Sequence, residues 1–194
     1  EWKRGRLIVA GDSAHQMPPF LGQGLCAGAR DAFNLGWKLV RVLRGHSPES
    51  LLDTYGPERK AHVGAVIELA VRLGAVIQTT DREIAERRDR EIEANGPERV
   101  PQVRTLPLGP GAHTGEAFGG TLFPQPRLGD GARFDDRAGA RFVVAGDPRL
   151  VKATRHADLW RRLDALVLDA PCPEIDQWLS EHGTKMSWFA PIDS

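Results

Sequence analysis

The residues with the clearest chemical potential lie close together, between positions 6 and 35 of the sequence. Asp12 stands there beside Gly11, and an ionised carboxylate accepts hydrogen bonds without donating any, which suits a ligand rich in hydroxyl groups. Gly22 and Gly24 follow in a loop that also contains two prolines. Because glycine has no side chain, the backbone at these two positions can approach a flat or anionic ligand closely. The stretch therefore predicts a ligand that lies along the loop.

Two secondary-structure elements must hold this loop in place. The apolar run from Leu7 to Ala10 predicts a short buried strand, because no polar residue interrupts it. After Gly24 apolar residues recur at helical spacing, which predicts a helix whose apolar stripe excludes Asp31 and Asn34. The stripe comprises Leu25, Ala29, Ala32, Phe33, Gly36, Trp37 and Val40. The first amides of such a helix are free and can bind electron-rich oxygens. The pattern alone leaves a purely structural strand–loop–helix unit equally open.

The order of residues in this unit is more specific than its pattern. The segments GDSAH, PPFLGQG and RDAFNLGWKL, in that order, resemble the second flavin-contacting motif of the class A FAD-dependent aromatic hydroxylases, the p-hydroxybenzoate hydroxylase-like monooxygenases. The later segment LLDTYGPERKAH resembles the one that follows in the same family. The resemblance is strongest to the longer members that act on phenols such as 3-(3-hydroxyphenyl)propionate and to the polyketide hydroxylases.

The resemblance implies that seven residues contact FAD: Gly11, Asp12, Pro19, Gly22, Gly24, Leu25 and Cys26. Asp12 would accept hydrogen bonds from the ribityl hydroxyls, and Pro19 would lie along the isoalloxazine edge. The N–H groups of Leu25 and Cys26 would point at the pyrimidine end of the flavin, where the helix dipole stabilises negative charge. Family members often carry Asn where this chain has Cys26, and a backbone contact survives that difference. No catalytic acid or base can be named.

The implied activity is hydroxylation of a phenolic substrate with O2 and NAD(P)H, through a flavin C4a-hydroperoxide. Members of this family begin with a βαβ unit whose G-x-G-x-x-G motif holds the FAD pyrophosphate. That motif does not occur in this sequence, which starts at Glu1. We therefore expect this chain to be the C-terminal portion of a longer enzyme, inactive without the N-terminal half. The sequence leaves open a different reading, in which the chain is a non-catalytic assembly module that can self-associate.

Three further helices are predicted before residue 104. Ser47, Pro48 and Glu49 are typical of a helix start and predict a short helix that Gly56-Pro57 interrupts. A long helix is predicted from about Pro57 to Thr80, with an apolar face of Val63, Val66, Ile67, Ala70, Val71, Gly74 and Ile77. The charge-dense stretch 81–95 predicts a solvated helix. Residues 1–104 are thus assigned to the C-terminal part of an FAD-binding domain.

The remaining sequence predicts a connector and a small α/β domain. Residues 105–131 are rich in proline and glycine and are typical of a connector. Within it, His113 beside Glu116 suggests an acid–base pair, although loop side chains that satisfy backbone groups are the favoured interpretation. Residues 132–194 predict strands at 140–145, 165–168 and 186–190, with helices at 159–163 and 173–182 between them. This order resembles the thioredoxin-like C-terminal domain of the phenol hydroxylases, without the CxxC motif and with a further strand expected at its end.

Composition excludes several other functions. The 26 basic and 26 acidic side chains balance, which argues against a nucleic-acid surface. The six histidines show no metal-ligand spacing and the two cysteines are far apart, so we expect no metal site and free thiols in a reducing cytoplasm. Neither a signal peptide nor an apolar run long enough to span a membrane is evident, so no membrane partner is expected.

Overall fold

A computed structural model describes residues 1–96, 106–113, 119–139, 141–153, 157–168, 172–184 and 186–189. The chain divides into two units, one of residues 1–115 with 119–121, the other of residues 116–118 with 122–194. This division falls inside the stretch 105–131 that the sequence assigns to a connector. The predicted boundaries at 104 and 131 stay a prediction.

The first unit opens with a two-stranded antiparallel hairpin. Strands β1 (Lys3–Arg4) and β2 (Leu7–Ile8) pair in the register Lys3 with Ile8 and Arg4 with Leu7. The expected strand is confirmed at Leu7–Ile8, but the predicted extent to residue 10 and the predicted burial were wrong, since the strand is two residues long and Leu7 is 77% exposed. A 3-10 turn at Gly11–Ser13 and another at Pro19–Leu21 then lead to the first helix.

Helix α1 spans Gly24–Leu43, which confirms the predicted helix but reverses its predicted burial. Its buried residues are Ala27, Asp31, Asn34 and Lys38. The predicted apolar stripe is largely exposed, since Leu25, Phe33 and Val40 are 87%, 60% and 46% accessible. In this chain the polar side of α1 therefore packs inward, because its charged groups find partners on the next helix.

Helix α2 spans Tyr55–Gln78 and follows directly on a 3-10 turn at Glu49–Thr54. The predicted interruption at Gly56-Pro57 was wrong, since a proline in the first turn needs no N–H partner. Of the predicted apolar face, Val63, Val66, Ala70 and Gly74 are buried, whereas Val71 and Ile77 are 53% and 65% exposed. The first unit's main core cluster joins Trp2, Ala27, Tyr55 and Val63.

The stretch Glu49–Gln78 is long and apolar enough to cross a membrane by length and composition, with a mean hydropathy of 1.4 in its best window. The expectation that no run reaches this length was therefore wrong. Within that window 33% of residues are buried inside the protein, and core helices of soluble proteins meet the same criterion.

Helix α3 (Arg82–Asn95) confirms the charged helix. Asp81 caps it, because its carboxylate accepts hydrogen bonds from the amides of Glu83 and Ile84 at 2.9 and 3.1 Å. No residue of α3 is buried, as the alternation of charges predicts.

The second unit is a mixed sheet with helices around it. Its elements are α4 (Phe134–Ala138), β3 (Val143–Gly146), α5 (Pro148–Ala153), α6 (Ala157–Arg162), β4 (Leu166–Leu168), α7 (Pro173–Glu181) and β5 (Met186–Phe189). The sheet order is β4-β3-β5, in which β3 pairs parallel with β4 and antiparallel with β5. The predicted alternation of strands and helices is confirmed over the described residues; Ala140 and Ala190, which were predicted to lie in strands, fall outside them.

The central strand β3 separates two apolar clusters. Val143 and Ala145 belong to one cluster with Phe134 and Ile175, whereas Val144 belongs to another with Trp160. This follows from the period of two in a strand, which directs successive side chains to opposite faces.

Candidate functional site

The Gly11–Asp12 turn is closed by its own backbone. The amides of Ala14 and His15 donate to the carbonyl of Gly11 at 2.8 and 3.0 Å. Gly11 has φ of +58°, a left-handed conformation in which glycine is favoured. The carboxylate of Asp12 is exposed and has no hydrogen-bond or ion-pair partner in the part of the chain that the structure describes. The turn therefore presents a free acceptor group to solvent.

Asp31 fixes this turn to helix α1. Its Oδ2 accepts a hydrogen bond from the Gly11 amide at 3.0 Å and lies 2.7 Å from Nε2 of His15. The contact is close, since a Cβ added at Gly28 would lie 3.3 Å from the Cα of Gly11. Because Asp31 is fully buried, each of these partners offsets part of the cost of removing its charge from water.

Arg59 of helix α2 neutralises the same carboxylate. Its Nε donates to Oδ1 of Asp31 at 2.8 Å, and both side chains are inaccessible to solvent. His15 stacks on Trp2 with ring centroids 5.4 Å apart, so the imidazole is held from a second side. The hydroxyl of Tyr55 donates to the carbonyl of Val9 at 3.1 Å, and burial raises the pKa of this phenol. The turn is thus bound to both long helices.

The loop from Pro18 to Gly24 leads to an open helix start. Gly22 adopts φ of +61° and its amide donates to the carbonyl of Pro19 at 2.9 Å. A Cβ at Gly22 or Gly24 would meet no atom within 4 Å. Gln23, at the N-cap position of α1, makes no side-chain capping hydrogen bond, so the first amides of the helix have no side-chain cap. Leu25 and Cys26 in this first turn are both exposed.

Comparison with known proteins identifies the family of this arrangement. Residues 1–70 match the family model described as FAD binding domain. The chain is 38% identical over 193 residues to a 3-(3-hydroxy-phenyl)propionate/3-hydroxycinnamic acid hydroxylase of Mycolicibacterium smegmatis, covering 87% of this chain and 34% of the relative. It is 41% identical over 163 residues to a probable NADH-specific resorcinol 4-hydroxylase of Rhodococcus jostii, covering 81% and 30%. Over most of its length the chain is thus related to part of the class A FAD-dependent aromatic monooxygenases.

Solved structures of low sequence identity share the fold of this chain. An aklavinone-11 hydroxylase, solved with FAD and aklavinone, aligns with a TM-score of 0.72 at 20% identity, over 98% of this chain and 39% of the other. The rebeccamycin biosynthetic enzyme RebC, solved with reduced flavin, aligns with a TM-score of 0.66 at 24% identity, over 98% and 41%. The chain spans about a third of the length of the curated relatives it matches.

The geometry of this site fits the flavin cofactor of that family. Asp12 supplies an unpaired acceptor for hydroxyl groups, and the uncapped start of α1 supplies donors for electron-rich oxygens. The Gly11 backbone lies against Gly28, so the acceptor turn and the N-terminal half of α1 are brought together. Whether the seven predicted residues contact FAD stays a prediction, but none of them is enclosed in the core.

A second buried network lies beside the first in the same unit. Oε2 of Glu58 accepts from Nζ of Lys38 at 2.5 Å and from Nδ2 of Asn34 at 2.8 Å. Its Oε1 accepts from the amide of Ala112 at 2.5 Å. Burial lowers the pKa of Lys38, and the Glu58 carboxylate opposes that shift. A Cβ at Gly111 would overlap Glu58, so the loop before residue 113 fits against α2 only with glycine there.

The alternative acid–base pair is not supported by what the structure describes. Nε2 of His113 lies 2.7 Å from the carbonyl oxygen of Gly109, as the favoured interpretation of a loop side chain predicts. Glu116 lies outside the described residues. Among the residues that are described, no group of three or more His, Cys, Asp or Glu side chains is placed to hold a metal ion.

Sequence reasoning missed Asp31, His15 and Arg59. Asp31 was assigned to the polar side of α1, away from the predicted core. All three residues lie within the segments that carry the family resemblance, but their pairing joins positions 16 and 28 residues apart. The sequence did contain one sign of this ion pair. Two consecutive predicted helices each carry a charged residue of opposite sign, Asp31 in one and Arg59 in the other.

Proposed function

We propose that this chain forms one side of the FAD site of a longer monooxygenase, which hydroxylates a phenolic substrate with O2 and NAD(P)H. The observation that carries the proposal is the exposed, unpaired Asp12 on a turn that buried Asp31 fixes against α1. The names of the relatives, both hydroxylases of phenolic compounds, support the substrate class. The name of the resorcinol hydroxylase supports a nicotinamide donor.

The bound flavin supplies the oxygen-activating chemistry. Asp12 binds its hydroxyl groups as an acceptor that needs no protonation change. The first amides of α1, at Leu25 and Cys26, would stabilise negative charge on the cofactor, since the positive end of the helix dipole lies there. The backbone from Pro19 to Gly24 would lie along the ring and exclude water from it. None of these residues transfers a proton.

The test is the FAD content of the complete enzyme carrying Asp12→Ala. We expect weaker FAD retention, by about 1.5–3 kcal/mol for each charge-assisted hydrogen bond lost. Asp12→Asn should have a smaller effect, because an amide oxygen can still accept. Glu68→Ala removes an exposed carboxylate from α2 and serves as the control. Full flavin content in purified Asp12→Ala protein would refute the assigned role.

We further propose that an N-terminal portion of the same enzyme covers the exposed apolar side of α1. Leu25, Phe33 and Leu43 are 87%, 60% and 79% exposed, and large apolar patches are typical of contact surfaces. The short length of the chain relative to its relatives supports this arrangement. We therefore expect residues 1–194 alone to bind FAD weakly or not at all. A fluorescence titration that gave sub-micromolar affinity would contradict that expectation.

For the second unit we propose a thioredoxin-like fold with a packing role. The sheet order β4-β3-β5, with one parallel and one antiparallel pair, supports it. Cys172 has no cysteine partner, and its side chain packs against the apolar cluster around Phe134. Burial raises the pKa of this thiol, which is the opposite of what dithiol chemistry requires. Replacement of Cys172 by Ala should therefore leave the activity of the complete enzyme unchanged.

A further inference from the structure

The loop that carries Pro19 and Gly22 has little hydrogen bonding to the rest of the protein. In the described part of the chain, the hydrogen bonds of residues 18–22 stay within the stretch 18–23, from the Gly22 amide to Pro19 and from the Gln23 side chain to Leu21. Two consecutive prolines remove two backbone donors from it. Something other than hydrogen bonding must therefore fix its position.

Phe20 supplies a packing contact at the centre of this loop. A Cβ added at Gly74 of helix α2 would lie 3.0 Å or less from three carbons of the Phe20 ring, Cδ2, Cε2 and Cζ. Real Cβ atoms do not come so close, so the ring occupies the space that a side chain at position 74 would fill. We call this space the Gly74 recess.

Gly74 differs in this respect from another glycine of the same helix. A Cβ at Gly64 would meet no atom within 4 Å. Glycine in the middle of a helix is destabilising relative to alanine, because it loses more backbone freedom on folding. At Gly64 nothing in the described structure offsets that loss. At Gly74 the Phe20 ring leaves no room for a Cβ, so its close approach requires glycine there.

We propose that Gly74 and Phe20 are positioning residues that fix the Pro19–Gly22 backbone at the height that the flavin ring requires. The proposal rests on the proposed function above. Neither residue needs to touch a reacting atom. A methyl group at position 74 would push the Phe20 ring outward, and the ring would carry the short loop with it because residues 18–22 make no described hydrogen bond beyond residue 23. The flavin would then be bound in a less protected geometry.

The first arm of the test needs no cofactor. Hydrogen exchange of the Gly22 amide, which donates to the carbonyl of Pro19, is compared in FAD-free complete enzyme for the wild type, Gly74→Ala and Gly64→Ala. We expect at least tenfold faster exchange in Gly74→Ala and no change in Gly64→Ala, which should be at least as stable as the wild type. Unchanged exchange in Gly74→Ala would overturn the inference whether or not the enzyme binds FAD.

The second arm measures coupling, as product hydroxylated per NAD(P)H oxidised, in the FAD-loaded enzyme. Gly74→Ala should lower it several-fold, with little change in the KM for NAD(P)H, and alter the visible flavin spectrum. Phe20→Ala should do the same. In the Phe20→Ala background, adding Gly74→Ala should change nothing further, since the ring that collides with the methyl is gone.

Additive effects of the two substitutions would overturn the proposal, because they would show that Gly74 acts through some other neighbour. A lower melting temperature of Gly74→Ala with unchanged coupling would also overturn the proposal. It would show that the contact between Gly74 and Phe20 contributes to stability but does not position the loop. Wild-type enzyme that binds no FAD would refute the proposed function, and with it the positioning role, even if the exchange result stood.

Discussion

The two units of the chain are built around cores of different chemistry. In the described part of the first, five Asp, Glu, Lys, Arg or His side chains are buried: Asp31, Lys38, Glu58, Arg59 and His62. In the second, the buried residues that the structure describes are apolar, from Phe123 through Val143 to Leu179. Both units pack helices, but among the described residues only those of the first connect two helices through buried charges. The first is also the unit that carries the candidate flavin site.

The polar core of the first unit and the apolar core of the second differ in how precisely they can position neighbouring residues. Apolar contacts are non-directional, so a core of them tolerates small shifts and volume-conserving substitutions. Hydrogen-bonded charges have fixed partners and geometry, and a missing partner leaves the other charge buried and unpaired. The Gly11–Asp12 turn is held by such partners. We infer that the polar core of the first unit serves to position the turn rather than to add stability.

Asp31→Asn should produce the largest effect and test this contrast most directly. The replacement preserves shape but leaves the buried Arg59 without a counter-charge and presents one less acceptor to the Gly11 amide and His15. We expect a loss of about 3–5 kcal/mol in the free energy of unfolding of the first unit. Native-state hydrogen exchange reports the two units separately, and the second unit should be unaffected. Equal losses in both units would contradict the contrast.

The position of Asp31 also shows where sequence reasoning stops. Local signals identified α1, the charged helix α3 and the strand–helix order of the second unit, because apolar periods and charge patterns act within a few residues. They did not show which side of α1 is buried. The apolar stripe predicts the inward side only if charged residues have no buried partners, and here Arg59 and Glu58 supply those partners from α2.

The candidate site follows the same division. The segment that carries Gly11, Asp12, Gly22 and Gly24 was identified from residue order, because the family resemblance is local in sequence. Asp31 and Arg59 hold this segment in place. Their partners lie too far away in sequence for a helical or strand periodicity to reveal the pairing. Leu7 and Phe33, which the apolar pattern predicts to be buried, are exposed, because apolar spacing alone cannot distinguish a core face from an exposed apolar face.

His62 should make the first unit sensitive to acid, an effect of intermediate size. Burial, and after it the neighbouring Arg59 charge, lowers the pKa of His62 to about 4. In the unfolded chain the pKa is about 6.5, so between about pH 6.5 and 4 the unfolded state binds a proton that the folded state does not. The free energy of unfolding should therefore fall as the pH falls through this window, by about 3 kcal/mol from this group.

The measurement is urea unfolding of the chain at several pH values, compared between the wild type and His62→Gln. The variant should lose most of the slope between about pH 6.5 and 4, whereas His46→Gln, at an exposed position, should keep it. If the free energy of unfolding of the wild type and of His62→Gln changed with pH in the same way, the His62 imidazole would not be kept neutral by its surroundings. The second unit has no described buried histidine, so its stability should follow a different pH profile.

Phe134→Leu in the second unit should have the smallest effect, although it changes shape more than Asp31→Asn does. Phe134 is fully buried and contacts Phe123 at a centroid distance of 5.3 Å, but it makes no directional bond through its ring. Hydrophobic neighbours can close around leucine, so we expect a loss of less than about 1.5 kcal/mol, measured by hydrogen exchange of the β3 amides. The comparison is informative because Asp31→Asn, which preserves shape, is predicted to lower the free energy of unfolding more than Phe134→Leu, which changes the volume of the side chain. A loss for Phe134→Leu as large as that for Asp31→Asn would mean that packing fit, and not unpaired charge, determines the sensitivity of both cores.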